Sequence, residues 1–366
     1  LAAFKNLYIL DGDGCDPVQT TTYLARAIQH IREGHGPALV RLTVPRLSGH
    51  SGQDTQKYKS ELQIATEQSR DPLPRLQEFV ISEHLMTKRE WEATVHQVHQ
   101  DVRAALANVR KRPQPEPNDI QRHVFSETDK DNQPELQQQG GLWPEGHVFP
   151  ATTQEHQAEG DRINMLTAIR RTLDVELTTN PKVVVFGEDV GPKGGVHAAT
   201  LGLQDRHGTG RVFDTSLSEE GIIGRAVGMA AAGLMPVPEI QFRKYADPAE
   251  EQLNDCGTMR WRTANRFAAP MVVRIPGGFF KVGDPWHSQA NEVKWLHSIG
   301  WQLAMPSNAQ DAVGLLRTAM RDNNPTIFFE HRSMLDDAWA RRPYPGDDYV
   351  IPFGSATTTR KGDKLT

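Results

Sequence analysis

Four clusters in this sequence combine residue types and spacings that can do chemistry. The run Asp214-Thr215-Ser216-Leu217-Ser218-Glu219-Glu220-Gly221 leads into a Gly- and Ala-rich stretch that reads as a helix. Glu219 at that N-terminus has a plain explanation, because a carboxylate there favours the helix dipole. Held beside an apolar ligand, it would instead act as an acid or base with a shifted pKa. Trp286-His287-Ser288 follows Gly277 and Gly278, and His287 is either a structural imidazole or a group that titrates near neutrality. Arg46-Leu47-Ser48-Gly49-His50-Ser51 ends a strand in a polar loop. It is either an ordinary exposed loop or one whose Arg and His meet phosphate oxygens through charge-assisted hydrogen bonds. Asp11-Gly12-Asp13-Gly14-Cys15-Asp16 offers Asp at alternate positions, as a calcium loop would, but Thr22 stands where an EF-hand needs its bidentate Glu. Gly-Asp-Gly also opens a magnesium–diphosphate motif that requires a later Asn. Here that region holds Leu39, Val40 and Arg41, and Asn6 is the only Asn among the first 60 residues. The stretch therefore reads as a plain strand-to-helix turn.

The elements that must position these groups follow from apolar patterning. Short apolar strands are expected at 183–186, 211–213, 237–242, 270–275, 303–305 and 326–330, with helices over 221–234 and 309–320. That alternation predicts an α/β domain over 161–345, a doubly wound parallel sheet of about six strands. Ligands of such sheets lie beyond the carboxyl ends of the strands, where Gly187-Glu188-Asp189, the loop before Glu219 and Gly277-Gly278 fall.

Upstream, residues 1–60 read as strand, helix, strand. Leu7-Tyr8-Ile9-Leu10 is ended by Asp11-Gly12-Asp13-Gly14, then Leu24, Ile28 and Ile31 recur at helical spacing, and residues 38–44 form a second strand. Parallel strands need both faces covered, so residues 1–111 are expected to be part of a second α/β domain. Leu73, Leu76 and Val80 mark another helix. Thr87-Lys88-Arg89-Glu90 is a capping box opening a helix whose stripe, Trp91, Val95, Val98, Val102 and Leu106, is expected to pack. Residues 112–160 are Pro-rich and carry Gln137-Gln138-Gln139, which predicts an extended linker, with Trp143, Val148 and Phe149 against a neighbouring domain. Residues 346–366 are expected to begin a further domain.

Composition narrows the classes. The 366 residues hold 41 Lys+Arg against 46 Asp+Glu, a net charge of −5, which argues against a nucleic-acid surface. No apolar run is long enough to span a membrane. Two cysteines, Cys15 and Cys256, cannot build a disulfide framework and point to a reducing, cytoplasmic setting. The opening residue Leu1 suggests a processed or truncated start.

An ordered set of motifs ties the clusters together. Val185-Phe186-Gly187-Glu188-Asp189-Val190, Gly194-Gly195-Val196, Arg211-Val212-Phe213-Asp214-Thr215 and Leu217-Ser218-Glu219-Glu220-Gly221 occur in sequence. Glu239-Ile240-Gln241-Phe242, Tyr245, His287-Ser288-Gln289 and Asp322-Asn323-Asn324-Pro325 follow. Together they resemble the beta chain of thiamine-diphosphate-dependent 2-oxo acid dehydrogenases, the decarboxylating component of the pyruvate and branched-chain complexes. Asp11-Gly12, Gly36-Pro37-Ala38-Leu39, Arg46 to Ser51, Asp54 and Tyr58 resemble the C-terminal part of the alpha chain. Alpha, linker and beta in one chain look like a fused form.

The resemblance implies a thiamine-diphosphate-binding fold and a role for each matching residue. Glu219 would bond the aminopyrimidine ring nitrogen and promote deprotonation of the thiazolium carbon, with the cofactor as electron sink for decarboxylation. Leu217 and Tyr245 would pack on the pyrimidine. His287 would handle the intermediate and pass the acyl group to lipoyl, and His50 would lie near the diphosphate. Glu188 would lie on an acidic path between paired cofactors. Ser51 matches a position phosphorylated in mitochondrial relatives. Asp322 and Asn324 match a turn that holds potassium in branched-chain members. The implied partners are a lipoyl-bearing dihydrolipoyl acyltransferase core and a second copy of the chain. The magnesium–diphosphate motif is expected upstream of Leu1, so this chain holds half a cofactor site and is not expected to catalyse alone. The alternatives are another thiamine enzyme, of the transketolase or deoxyxylulose-phosphate synthase type, and a non-catalytic interaction domain. The substrate motif looks closer to branched-chain members than to pyruvate ones.

Overall fold

The computed structural model describes residues 3–127, 159–280, 284–354, 358 and 361–364. It falls into two units, Leu1–Gln114 and Pro115–Thr366. The expected linker residues Gln137 to Gln139, Trp143, Val148 and Phe149 lie outside the described residues.

In the first unit, β1 (Tyr8–Asp13), α1 (Pro17–Arg32) and β2 (Ala38–Thr43) are followed by α2 (Glu61–Gln68), α3 (Pro72–Ser82) and α4 (Lys88–Lys111). The two strands run parallel, from Tyr8 opposite Ala38 to Asp13 opposite Thr43. The strand thus continues through Asp11-Gly12-Asp13, where the polar residues suggested its end, because the ladder with Arg41, Leu42 and Thr43 carries it on. The turn itself is the plain one expected. Asp16 caps α1 by accepting from Val18 N and Gln19 N, both at 2.9 Å, with Pro17 at the first helical position. Asp13 accepts from Cys15 N, Arg70 and Arg75. Those partners hold its carboxyl well below the usual carboxylate range, the Cys15 amide contributing most.

The capping box of α4 is present as read, with Thr87 and Glu90 each closing on the other's backbone. Its stripe does not pack as expected: Val95, Val98, Val102 and Leu106 are 40%, 54%, 62% and 50% exposed. The periodicity specified an amphipathic helix correctly, but no described element of this unit covers that face. Leu24, Ile28 and Ile31 of α1 are likewise exposed.

The second unit begins with residues tied to its body. Trp261 Nε1 donates to Ile120 O at 3.1 Å, and Ser126 N donates to Asn324 Oδ1 at 2.6 Å. Then come β3 (Arg162–Ile163), α5 (Met165–Thr179), β4 (Val183–Gly187), α6 (Leu203–His207), β5 (Val212–Asp214), α7 (Glu219–Ala231) and β6 (Met235–Glu239). Next are α8 (Glu250–Arg262), β7 (Val272–Gly277), α9 (Glu292–Trp295), β8 (Gln302–Ala304), α10 (Ala309–Arg321), β9 (Thr326–His331) and β10 (Arg342–Pro343). Six strands form one sheet in the order β5-β4-β6-β7-β9-β8, all parallel, as the alternation predicted.

Period-two alternation sends side chains to two separate cores. Val183 and Val185 join Ile169, Leu173, Val313 and Leu316 under α5 and α10. Val184 and Phe186 join Ile222, Ile223, Ala226 and Leu253 under α7 and α8. Residues past 345 extend this body: Arg317 donates to Gly346 O and Tyr349 O, and Ile351 N donates to Gly314 O.

The central strand β6 contains Pro236 and Pro238, which have no N–H to give a ladder. Met235 N points to Lys182 O, on the β4 side, so by alternation both prolines face β7. The β6–β7 pairing is accordingly reduced to Glu239 opposite Arg274. Strand order reverses at β4, and in doubly wound sheets the ligand-binding crevice lies beyond the carboxyl ends of the strands at such a point, here β4 and β6.

Candidate active site

Two carboxylates meet at that crevice. Glu188 follows the last residue of β4 and is 6% exposed, and its Oε1 has no hydrogen-bond partner. Glu219 is the first residue of α7, half-buried at the helix N-terminus. Burial pushes the Glu188 carboxyl up to about 7, helped by the negative charges of Glu219 and Asp189. The loop between β4 and α6 turns tightly here. Gly194 and Gly195 both hold left-handed backbone, with φ of +81° and +82°. A Cβ on Gly194 would lie 2.4 Å from Leu201 Cα, and one on Gly195 would lie 3.2 Å from Glu239 Oε1.

Nearby lies a buried ion cluster. Arg274 donates to Glu330 through Nε at 2.6 Å and Nη2 at 3.0 Å, and to Glu239 through Nη1 at 2.7 Å. Each of the three is at most 2% exposed. Burial raises the Glu239 carboxyl and Arg274 opposes the rise.

A third group gathers at the ends of β6, β7 and β9. Tyr245 Oη and His287 Nε2 are 3.3 Å apart. The Phe242 ring lies 4.5 Å from that of His287 and 6.1 Å from that of Tyr245, and His197 meets its edge at 5.9 Å. Arg332 lies over Phe242 and donates to His287 O at 2.7 Å. His197 Nε2 is buried without a partner. Burial, then the charges of Arg332 and Arg274, bring His197 down to about 4, so its imidazole is neutral at ordinary pH.

The remaining expected residues fall as follows. Leu217, just before α7, is 85% exposed. Asp322 and Asn324 precede β9, at the opposite end of the sheet from Glu219. Asn324 Nδ2 donates to Asp322, and its Oδ1 accepts from Ser126 N, so the amide is used at both ends within the protein. This does not fit an open potassium site. Among the described residues, no group of three or more His, Cys, Asp or Glu forms a metal site. His50 belongs to the first unit, where it is exposed and its N–H donates to Asp54 Oδ2 at 2.7 Å. Asp54 also accepts from Gln56 N and Tyr58 Oη, which folds the loop around one carboxylate.

The orphan Glu188 oxygen, the half-buried Glu219 carboxylate and the bare Leu217 side chain suit a flat heteroaromatic ring with a polar edge. They fit the aminopyrimidine half of the implied cofactor. Residues 161–337 match the model of the transketolase pyrimidine-binding domain, and residues 2–118 match that of the dehydrogenase E1 component. The chain is 41% identical over 219 residues to a 2-oxoisovalerate dehydrogenase subunit beta from Pseudomonas aeruginosa, covering 56% of this chain and 63% of that protein. The second unit is thus similar to beta-type subunits of 2-oxo acid dehydrogenases. The subunit of the same name from Bacillus subtilis is 39% identical over 205 residues, 56% of this chain and 62% of its own length. The pyruvate dehydrogenase E1 component subunit beta from Acholeplasma laidlawii is 38% identical, with the same coverage of both chains. The chain thus spans a little under two thirds of the length of these curated relatives. Among the described residues, no helix is long and apolar enough to cross a membrane.

Sequence reading passed over Arg274, His197 and Arg332. A lone arginine inside the apolar strand Val272–Gly277 was a usable signal, since such a charge must be paired. His197 and Arg332 carried none, because their roles arise where separate strand ends converge.

Glu188 makes stability depend on pH. Between about pH 4.5 and 7 the folded chain keeps a proton on Glu188 that the unfolded chain releases. Stability therefore falls as pH rises through that window and levels off above it. Denaturant midpoints at pH 5 and pH 7.5 check this: Glu188→Gln should remove that part of the fall, and an identical pH dependence in both proteins would contradict it.

Proposed function

We propose that the crevice between β4 and β6 receives the aminopyrimidine of thiamine diphosphate. On this reading the chain works as a fused alpha–beta decarboxylating component of a 2-oxo acid dehydrogenase. The observation that carries this is the meeting of Glu188 and Glu219, with an unpartnered buried oxygen, at the one reversal of strand order next to β4. Glu219 holds a proton at the pyrimidine ring nitrogen. Glu188, half-protonated near neutrality, lies next to it as a proton reservoir. Leu217 and Tyr245 flank the ring. His287, restrained by Tyr245, handles the acyl group on its way to a lipoyl arm. When bound, the cofactor supplies the electron sink for decarboxylation.

The partners on this reading are a lipoyl-bearing acyltransferase core and a second copy of the chain. Magnesium accompanies the diphosphate. The motif Glu239 to Phe242 with Tyr245, together with the names of the relatives at 41% and 39% identity, supports a branched-chain 2-oxo acid as substrate over pyruvate.

The test is acylation of a lipoyl domain by the chain in its native assembly, supplied with thiamine diphosphate, magnesium and a panel of 2-oxo acids. Acyl-lipoyl product, largest with branched-chain acids, is the expected result. Turnover of sugar phosphates without any need for lipoyl would overturn the reading in favour of a transketolase-type enzyme.

A further inference from the structure

The turn carrying His287 is the short 3-10 segment Trp286–Ser288. Within it, His287 N donates to Asp284 O at 3.1 Å, and Trp286 N donates to Asp284 Oδ1 at 2.7 Å. Among the described residues, it is tied to the body of the unit by Gly278 N to Gln289 O at 2.8 Å, Arg332 Nη1 to His287 O at 2.7 Å, and the Tyr245 Oη to His287 Nε2 contact at 3.3 Å. The last two reach the functional residue itself. Arg332 follows the last residue of β9, so its backbone is anchored in the sheet.

The setting of this arginine is unusual. Its guanidinium carbon lies 5.3 Å from the Phe242 ring centre and 5.9 Å from that of Phe280. Phe242 is the ring that meets His287 at 4.5 Å. Among the described residues Arg332 makes no ion pair, and its Nε is buried without a partner. A guanidinium without a carboxylate at a half-buried position is costly unless its hydrogen bonds and ring contacts do something specific. A charge-assisted bond to a single carbonyl, from a planar group stacked on an aromatic face, fixes direction as well as distance.

We propose that Arg332 is a positioning residue that holds the His287 turn through its carbonyl, so that the imidazole stays against Tyr245 and faces the crevice. This rests on the role given to His287 above. Lysine at this position could reach the carbonyl but has neither the planar fork nor the same stacking, so it should restore the function only in part.

The test uses the full chain in its native assembly, with Arg332→Met and Arg332→Lys. Hydrogen–deuterium exchange over residues 284–289 is expected to speed up by roughly tenfold or more in Arg332→Met and less in Arg332→Lys, with the strands β7 and β9 unchanged. In kinetics, kcat for acyl transfer to a lipoyl domain should fall by about 10–100-fold in Arg332→Met. The KM for the 2-oxo acid and decarboxylation read with ferricyanide as oxidant should stay within about twofold. Exchange over 284–289 that matches the wild type in both variants would overturn the proposal. So would equal losses in ferricyanide-linked and lipoyl-linked turnover. If the wild type acylates no lipoyl domain, the functional reading falls, and the exchange comparison alone decides whether Arg332 holds the turn.

Discussion

Replacing Glu219 by Gln is expected to lower 2-oxo acid decarboxylation by about 10²–10⁴-fold, the usual contribution of a positioned acid–base group. Gln keeps the shape of the side chain and can still bond a ring nitrogen, but it cannot exchange a proton with it. Because Glu219 is half-buried at the start of α7 and contributes nothing to either core, the fold should survive. A second consequence separates this account from a merely structural role. The negative charge of Glu219 helps raise the Glu188 carboxyl. Removing that charge should bring the Glu188 titration down, and the stability window described above should narrow toward lower pH. Undiminished turnover in Glu219→Gln would remove Glu219 from the mechanism.

The largest stability effect is expected at Arg274. Its guanidinium answers two carboxylates, Glu239 and Glu330, in a region with almost no solvent access. Arg274→Met leaves both acids facing each other with no cation, which should cost about 3–5 kcal/mol. That is a large share of the net stability of an ordinary domain. Lowering the pH should recover part of the loss, since protonation removes the repulsion. The variant Arg274→Met with Glu239→Gln and Glu330→Gln should regain more than half of it, because no unpaired charge then remains buried. Chemical denaturation of the three proteins at two pH values reads these differences. A loss below about 1 kcal/mol in Arg274→Met would mean that solvent or another cation reaches the cluster.

Much of the second unit was legible in the sequence because its strands are fully buried. Runs such as Val183 to Phe186 and Thr326 to Glu330 must be apolar on both faces, and the structure places strands there within a residue or so. The strand around Val237 was misjudged. The apolar run points to a strand over 237–242. The structure begins it at Met235 and ends it at Glu239, with the missing N–H groups turned toward β7. In the first unit, helical periodicity was read correctly in α1 and α4, but periodicity cannot say what covers an apolar face. The packing expected for Val95, Val98, Val102 and Leu106 is for that reason not found in this unit.

The site divides along the same line. Glu219, Glu188, Tyr245 and His287 belong to contiguous motifs; Glu188 follows a strand and Glu219 opens a helix that the pattern located, whereas Tyr245 and His287 lie in short 3-10 segments that it did not. The contacts that give them their properties join residues far apart in sequence. Arg332 bonds the carbonyl of a residue 45 positions away, and Arg274 reaches one 56 positions away. Composition and spacing carry no trace of such pairings until the sheet order is known.

On the proposed reading, the crevice beyond β4 and β6 serves thiamine-dependent decarboxylation. The most direct test is release of CO2 from a 2-oxo acid by the chain in its native assembly, measured with and without added thiamine diphosphate and magnesium. The expected result is release that depends on the cofactor and is lost in Glu219→Gln. A folded protein that binds thiamine diphosphate and releases no CO2 from any 2-oxo acid would contradict it.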